Sequence, residues 1–370
     1  MNTINNILIC PLEWGLGHAG RMIPLAKVLK ARNYNVITCS GKSHQALFRK
    51  EIPGLTYIDF PGFRPGYSRH LPQYLFLLLK TPLLFYHIAA EHIKLKRVIR
   101  DYKIDLVISD NRFGMWNRSV KSVYVTHLPV IPLPVNLRFL EWIGILFHRF
   151  FIKRYFLCFI PDLPGKLNLT GRLTHQVKLP PNCRFIGILS RFSDLPLGGE
   201  NKSGFPHNTV ILSGPEPQRG ILRKKLAEIL QHAEPPTVIL EGKPGDPEVA
   251  SRSENIISYN HLPSDEMRDM ITGSTSIITR SGYTSVMELV SLNCSALLVP
   301  TPGQTEQEYL ARYLTEKGWF SSVPQKRLAK NITLPPVGGS WSSEIIDESR
   351  TLLEKALQES GLWGASMSEF

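Results

Sequence analysis

Several short stretches place histidine, carboxylate, arginine or amide side chains directly after apolar runs, where strand ends are expected. In PLEWGLGHAGR (Pro11–Arg21), Gly15 and Gly17 permit a tight turn and close backbone approach, and amides of the following helix can face an anion. His18 lies in that loop, and an imidazole needs little tuning to accept a proton near neutral pH. The competing account is a loop histidine bonded to backbone. In ISDNRFG, Asp110 stands at a strand end as a second candidate base or as the group that orients the imidazole. An internal ion pair involving Arg112 competes with that role.

A second group lies in the other half of the chain. In TRSGYTSVMEL, Gly282 ends a strand and opens a helix, so its amide and those of its neighbours Arg280, Ser281, Tyr283 and Thr284 can hold a diphosphate. Glu288 follows Tyr283 by five residues, about 7 to 8 Å along a helix. That matches a phosphate-to-ribose spacing, and a carboxylate can accept from both ribose hydroxyls. A solvated helix glutamate is the alternative. In VPTPGQTEQEYLA, Gln304, Glu306 and Gln307 open a helix where they can meet sugar hydroxyls, or merely decorate a helix N-terminus. In ILSGPEPQRG, Ser213 and Gly214 close a strand and Arg219 can meet a phosphate; a plain helix-opening turn is the alternative. The glycine loop is not a dinucleotide fingerprint, because YNVITCS lacks the downstream ribose-binding acid. No Asp-x-Asp pair is present for a divalent metal, so the expected chemistry uses no metal and no cofactor.

These residues need a scaffold of strand ends, and the chain alternates accordingly. NILIC, YNVITCS, IDLVISDN and SVYVTH read as strands, with a helix over Arg21–Arg32. After LPLGGENKSGFPH a second alternation begins: NTVILSG, PTVILEG, NIISYN, STSIITRSG and CSALLVP as strands, with helices between them. The expected fold class is therefore α/β, with two doubly wound Rossmann-like domains facing a cleft. The boundaries fall at 1–195, 196–345 and a terminal helix at 346–370.

Together GLGHAGR, LSGPEP, RSGYTSVMEL and VPTPGQTEQEYLA resemble the two-domain glycosyltransferases of the GT-B fold, specifically family 28. The resemblance is most specific from Val210 to Leu314. It implies a UDP-sugar donor, inversion at the anomeric carbon and a lipid-like acceptor. It also implies that Gly282 and its neighbours hold the diphosphate, Glu288 the ribose, and Glu306 with Gln307 the sugar. Two departures are visible: the family commonly shows an amide pair where Glu306 and Gln307 stand, and the glycine loop is shorter. The expected function is an inverting, metal-independent transfer of a sugar to a lipid or membrane-proximal glycan. A nucleotide-sugar 2-epimerase of similar fold and a non-catalytic nucleotide-sugar-binding protein are the alternatives.

Charge and composition point the same way. The 370 residues carry a net charge of +12, and residues 64–158 alone hold fifteen Lys and Arg against five acids. Interleaved with LPQYLFLLLKTPLLFYHI and the aromatic run Phe139–Ile160, this positive charge favours an anionic membrane surface over nucleic acid. Charged residues interrupt Phe139–Ile160, so it cannot span a bilayer. It either meets a membrane face or is a helix buried between domains. The odd number of cysteines, five, suggests no disulfide framework. With no leader read at the N-terminus, the expected location is cytoplasmic, or peripheral at the inner face of the membrane.

Overall fold

The computed structural model describes residues 4–64, 66, 73–193, 205–247, 249–253, 255–329, 332–339, 341 and 344–362. The first sheet comprises β1 (Asn6–Pro11), β2 (Asn35–Ser40), β3 (Thr56–Asp59), β4 (Leu106–Asp110), β5 (Lys121–Val125), β6 (Leu157–Ile160) and β7 (Cys183–Phe185). Its order is β3-β2-β1-β4-β5-β6-β7, and every pairing is parallel. Helices α1 (Gly17–Ala31), α2 (Lys42–Glu51), α3 (Gln73–Leu79), α4 (Thr81–Asp101) and α5 (Glu141–Ile152) belong to this half.

The second sheet comprises β8 (Asn208–Ile211), β9 (Thr237–Leu240), β10 (Val249–Arg252), β11 (Ile256–Tyr259), β12 (Ser276–Thr279), β13 (Leu297–Leu298) and β14 (Ser321–Ser322). Its order is β10-β11-β9-β8-β12-β13-β14, with only the edge strand β10 antiparallel. Its helices are α6 (Gln218–Leu230), α7 (Ser264–Thr272), α8 (Tyr283–Ser291) and α9 (Thr305–Glu316), followed by α10 (Glu344–Glu359).

The sequence dictates sheets covered on both faces. Successive side chains of a strand point to opposite faces, and in β1 both sets are apolar. Ile7 and Ile9 join the core against α1, whereas Leu8 and Cys10 join the core that contains Leu95 and Val98 of α4. In each sheet the strand order reverses once beside the first strand, between β1 and β4 and between β8 and β12. A doubly wound sheet opens its crevice at such a point, beyond the carboxyl ends of the strands. The glycine loop and Asp110 flank the first switch point; Ser213, Gly214 and Gly282 flank the second.

One expectation changes. The helix predicted over Arg21–Arg32 begins at Gly17, because Leu16 O already accepts from Gly20 N at 2.8 Å. His18 is therefore a first-turn helix residue and not a loop residue. The expected boundary at 195 and most of its linker lie outside the described residues. The terminal helix, α10, packs beside β7. Arg184 pairs with Glu359 at 2.6 Å, and Ser349 Oγ accepts from Ile188 N at 3.0 Å. Gly187, at φ +70°, makes that approach possible, because a Cβ there would stand 2.2 Å from Ser349 Cα.

The stretch Phe139–Ile160 is not a helix buried between lobes. Phe151 and Ile152 of α5 are buried, while Phe139 (70%), Trp142 (58%), Leu146 (53%) and Phe150 (53%) stay exposed. Leu78, Leu79, Phe85 and Tyr86 of α3 and α4 are exposed as well, and Phe85 meets Phe147 of α5 edge-on at 5.9 Å. These side chains leave an exposed apolar face on the first lobe. Among the described residues, no helix is long and apolar enough to cross a membrane.

Candidate functional site

A cleft of about 1050 Å³ lies between the lobes. The glycine loop, α2 and Arg191 line it on one side. Ser213, Gly214, Arg219, Thr284 and Glu288 line it on the other. The lobes touch at the helix starts. A Cβ on Gly15 (φ +72°) would stand 3.8 Å from Gly214 Cα, and one on Gly17 would stand 3.1 Å from Thr284 Oγ1. Thr284 Oγ1 donates to Gly17 O at 3.1 Å. Gly17 thus lets α1 approach α8 closely, whereas Gly15 has room for a Cβ and is favoured by its left-handed backbone.

Beside this contact, polar groups form a chain through the first lobe. His18 and Arg21 sit three residues apart on one face of α1, and both reach Asp110 at the end of β4. Arg21 Nε donates to Asp110 Oδ2 at 2.8 Å, its Nη2 donates to Oδ1, and His18 Nδ1 lies 3.0 Å from Oδ2. Burial raises the Asp110 carboxyl, but Arg21 and His18 outweigh it and hold the pKa at about 2. His18 Nδ1 also stands 2.8 Å from Arg21 Nη2, which only donates, whereas an ionised carboxylate only accepts; the two neighbours call for opposite tautomers, and the one that serves Asp110 has its proton on Nδ1. His18 Nε2 is then the nitrogen with a free lone pair. Burial lowers the His18 pKa, Asp110 raises it and Arg21 lowers it again; the net shift is downward, which keeps the imidazole neutral near pH 7. The side chain retains 13% exposure beside the cleft-lining Gly17.

The chain continues across the gap. Arg21 Nη1 donates to His127 Nδ1 at 3.0 Å, so His127 carries its proton on Nε2 and donates it to Glu306 Oε1 at 2.9 Å. The ring of His127 stacks on Tyr283 at 4.4 Å. Burial raises the Glu306 carboxyl, and His127 outweighs it, leaving the pKa lowered. Glu306 is thus bound to the first lobe here.

The side chains of several residues expected near a donor frame the loops around Gly282. Arg280 is fully buried and donates to the carbonyls of Val299, Pro300 and Gln218 at 2.9–3.2 Å. Ser281 Oγ donates to Gln307 O at 2.8 Å, and Gln307 Oε1 accepts from Thr301 N at 2.8 Å. The Tyr283 hydroxyl donates to Pro161 O at 2.6 Å. Gln304 is the N-cap residue of α9, and its carbonyl accepts from Glu308 N at 3.0 Å. The physical reason is common to these groups: a buried polar group must find a partner, and the closest are loop backbone atoms. Arg112 also turns inward, pairing with Glu91 at 2.9 Å and not with Asp110.

Glu288 lines the cleft but is not a solvated glutamate. It is 8% exposed, and its Oε1 stands 2.9 Å from Arg191 Nε. Burial pushes its carboxyl up, and Arg191 pulls it part of the way back. Arg219 approaches Glu216 at 3.0 Å and the carbonyl of Gly242 at 3.0 Å. Sequence reasoning missed Arg21, His127, Arg191, Glu13 and His44. Glu13 and His44 face each other at 3.5 Å, and His44 Nε2 donates to Gly15 O at 2.9 Å, steadying the glycine loop. Glu13 and Arg21 lie within PLEWGLGHAGR itself, so their types were visible there; His127 and Arg191 had no motif to announce them.

Solved glycosyltransferases share this two-lobed architecture. The kitacinnamycin glycotransferase aligns over 98% of this chain and 94% of its own, with a TM-score of 0.58 and 13% identity. The spinosyn rhamnosyltransferase SpnG complexed with thymidine diphosphate aligns over 96% and 93%, with a TM-score of 0.58 and 13% identity. SnogD from Streptomyces nogalater aligns over 97% and 96%, with a TM-score of 0.55 and 16% identity. The fold is the GT-B fold. More narrowly, residues 241–333 match the glycosyltransferase family 28 C-terminal domain, which bears out the resemblance seen in RSGYTSVMEL and VPTPGQTEQEYLA. A curated relative from Sulfurihydrogenibium sp. (strain YO3AOP1) is 27% identical over 109 residues. That relative is a UDP-N-acetylglucosamine–N-acetylmuramyl-(pentapeptide) pyrophosphoryl-undecaprenol N-acetylglucosamine transferase. The match spans 29% of this chain and 31% of the relative.

Proposed function

We propose that this protein is an inverting glycosyltransferase that moves a sugar from a nucleoside diphosphate, with UDP the expected nucleotide, to a hydroxyl of a lipid or membrane-proximal glycan. One observation carries this: the two switch points face each other across one cleft, with the glycine loop that leads into His18 on one side and a helix start followed by the buried carboxylate of Glu288 on the other. The first-turn amides of α8 around Gly282, with Ser213, Gly214 and Arg219, hold the diphosphate, and Glu288 takes the ribose hydroxyls in exchange for Arg191. His18 Nε2 removes the acceptor proton as the acceptor oxygen attacks the anomeric carbon from the face opposite the diphosphate. The bond to the diphosphate breaks, and amides and Arg219 stabilise its charge in place of a divalent cation. Asp110 holds the imidazolium that forms. The exposed apolar face of α3, α4 and α5, beside the basic surplus of the first lobe, meets an anionic membrane surface.

Incubation with a donor labelled in the sugar tests the proposal directly. Label appearing in a lipid-extractable product with inverted anomeric configuration supports transfer. Label returning as an isomerised nucleotide sugar identifies an epimerase, and donor bound but never consumed identifies a binding protein. Within the same assay, Glu288→Gln lowers nucleotide affinity about 10-fold or more, the usual effect of losing hydrogen bonds to a charged acceptor. Unchanged nucleotide binding in that variant removes the ribose role.

A further inference from the structure

A second cavity of about 640 Å³ opens between the lobes and shares no lining residue with the cleft. Its walls are the short 3₁₀ turn Gly171–Leu173 on the first lobe and α9 on the second. Gly171 (φ +52°) makes this contact possible, because a Cβ there would stand 2.9 Å from the Tyr313 ring and closer still to the Tyr309 hydroxyl. Tyr309 and Tyr313 stack at 5.9 Å, and Tyr309 Oη accepts from Arg172 N at 2.8 Å.

The charge of this cavity is one-sided. Arg138, Arg172, Arg312 and Lys317 line it against the single carboxylate of Glu316. Arg172 forks onto Glu141 at 2.6 and 3.0 Å, yet its buried Nε has no acceptor among the described residues. Arg312 meets Glu316 only at 3.9 Å, and Lys317 lies 5.7 Å from the ring centres of Tyr313 and Trp319. Cations gathered over aromatic walls, with too few carboxylates to answer them, attract an anion that several N–H groups can grip at once. Arg138 belongs to the turn Val135–Leu140, whose Val135 (72%) and Phe139 (70%) are exposed, so the cavity borders the apolar face.

We propose that this inter-lobe cavity binds a phosphoryl group, carried by an anionic lipid headgroup or present as free phosphate. The bound group bridges Arg138 and Arg172 of the first lobe to Arg312 and Lys317 of α9. Because Glu306 opens the same helix seven residues before Tyr313, about 10 Å away along its axis, the anion steadies the segment that reaches His127. None of this depends on the nucleotide-sugar role of the cleft.

Two double variants of the full chain test it: R312Q/K317Q in the cavity, and K326Q/R327Q, which removes the same charge from an exposed turn elsewhere. Each is measured for sedimentation with vesicles of phosphatidylcholine, alone or mixed equally with phosphatidylglycerol, at low ionic strength. Each is also measured for the melting-temperature shift caused by inorganic phosphate. With a headgroup as the source, R312Q/K317Q binds the mixed vesicles roughly 10-fold more weakly than K326Q/R327Q, as expected for two basic contacts near an anionic surface. With free phosphate as the source, phosphate raises the melting temperature of the parent and of K326Q/R327Q but not of R312Q/K317Q. Either result supports the cavity. If the two double variants match in both measurements, the effect is net charge alone and the proposal is overturned.

Discussion

His18→Ala transfers sugar about 10²- to 10⁴-fold more slowly than the parent, the usual range for a lost general base, and binds nucleotide with nearly unchanged affinity. The separation follows from position. His18 sits on the first turn of α1 with Nδ1 tied to Asp110, whereas the expected nucleotide contacts lie on the opposite lobe at Gly214, Gly282 and Glu288. The pH profile gives a second readout. Burial lowers the His18 pKa from its ordinary 6.5, and the base must be neutral to accept a proton, so kcat/KM falls as pH drops through a value below 6.5. His18→Ala loses that acid limb. Equal losses of transfer and of nucleotide affinity, or survival of the limb, would make His18 a structural residue.

Asp110→Asn has the second large effect, and it reaches stability as well as rate. The amide can no longer neutralise Arg21, which is 1% exposed, and it is a poorer partner for the imidazolium formed during transfer. Transfer falls by at least about 10²-fold, and unfolding by urea at pH 7 becomes easier by about 2 to 5 kcal/mol. The lower figure follows from the carboxyl pKa of about 2 against its ordinary 3.8, and the upper from the usual cost of breaking a buried pair. The sign is fixed by the depressed pKa: the contribution is complete above about pH 4 and disappears as pH falls through about 2. Parent and variant therefore converge in stability toward pH 2. A variant that is less stable but transfers sugar at the parent rate would reduce Asp110 to a counter-ion for Arg21.

Much of the architecture was legible before any coordinates. Short apolar runs closed by glycine or a polar residue identified β1, β2, β4, β5, β8, β9, β11 and β12, because strands buried on both faces are apolar throughout. Strands β3, β6, β7, β10 and β14 escaped: TYID, CRF and SS bury too little to leave a pattern, and the buried LCFI runs on from the aromatic stretch before it without a break. The start of α1 was misread because glycines suggest loops, although Gly17 and Gly20 are helical here and face Thr284 and Glu288. In the site, the cleft positions of Gly15, Gly17, Ser213, Gly214, Arg219, Thr284 and Glu288 agree with the strand-end rule. The inward turns of Arg280, Ser281, Tyr283 and Gln307 do not follow from it, because a loop's polar side chains bond whichever backbone atoms the fold brings closest.

The amino-acid sequence by itself determined the α/β alternation and the residue types that end the strands, since these depend on local periodicity and on the backbone freedom of glycine. Tertiary structure alone decided which charges meet. Arg21 joins Asp110 across 89 residues, His127 joins Glu306 across 179, and Arg191 joins Glu288 across the lobe boundary. Pairing of this kind is set by the distance between groups after folding and by the cost of burying a charge without a partner, and neither quantity is written in the spacing of residues along a chain.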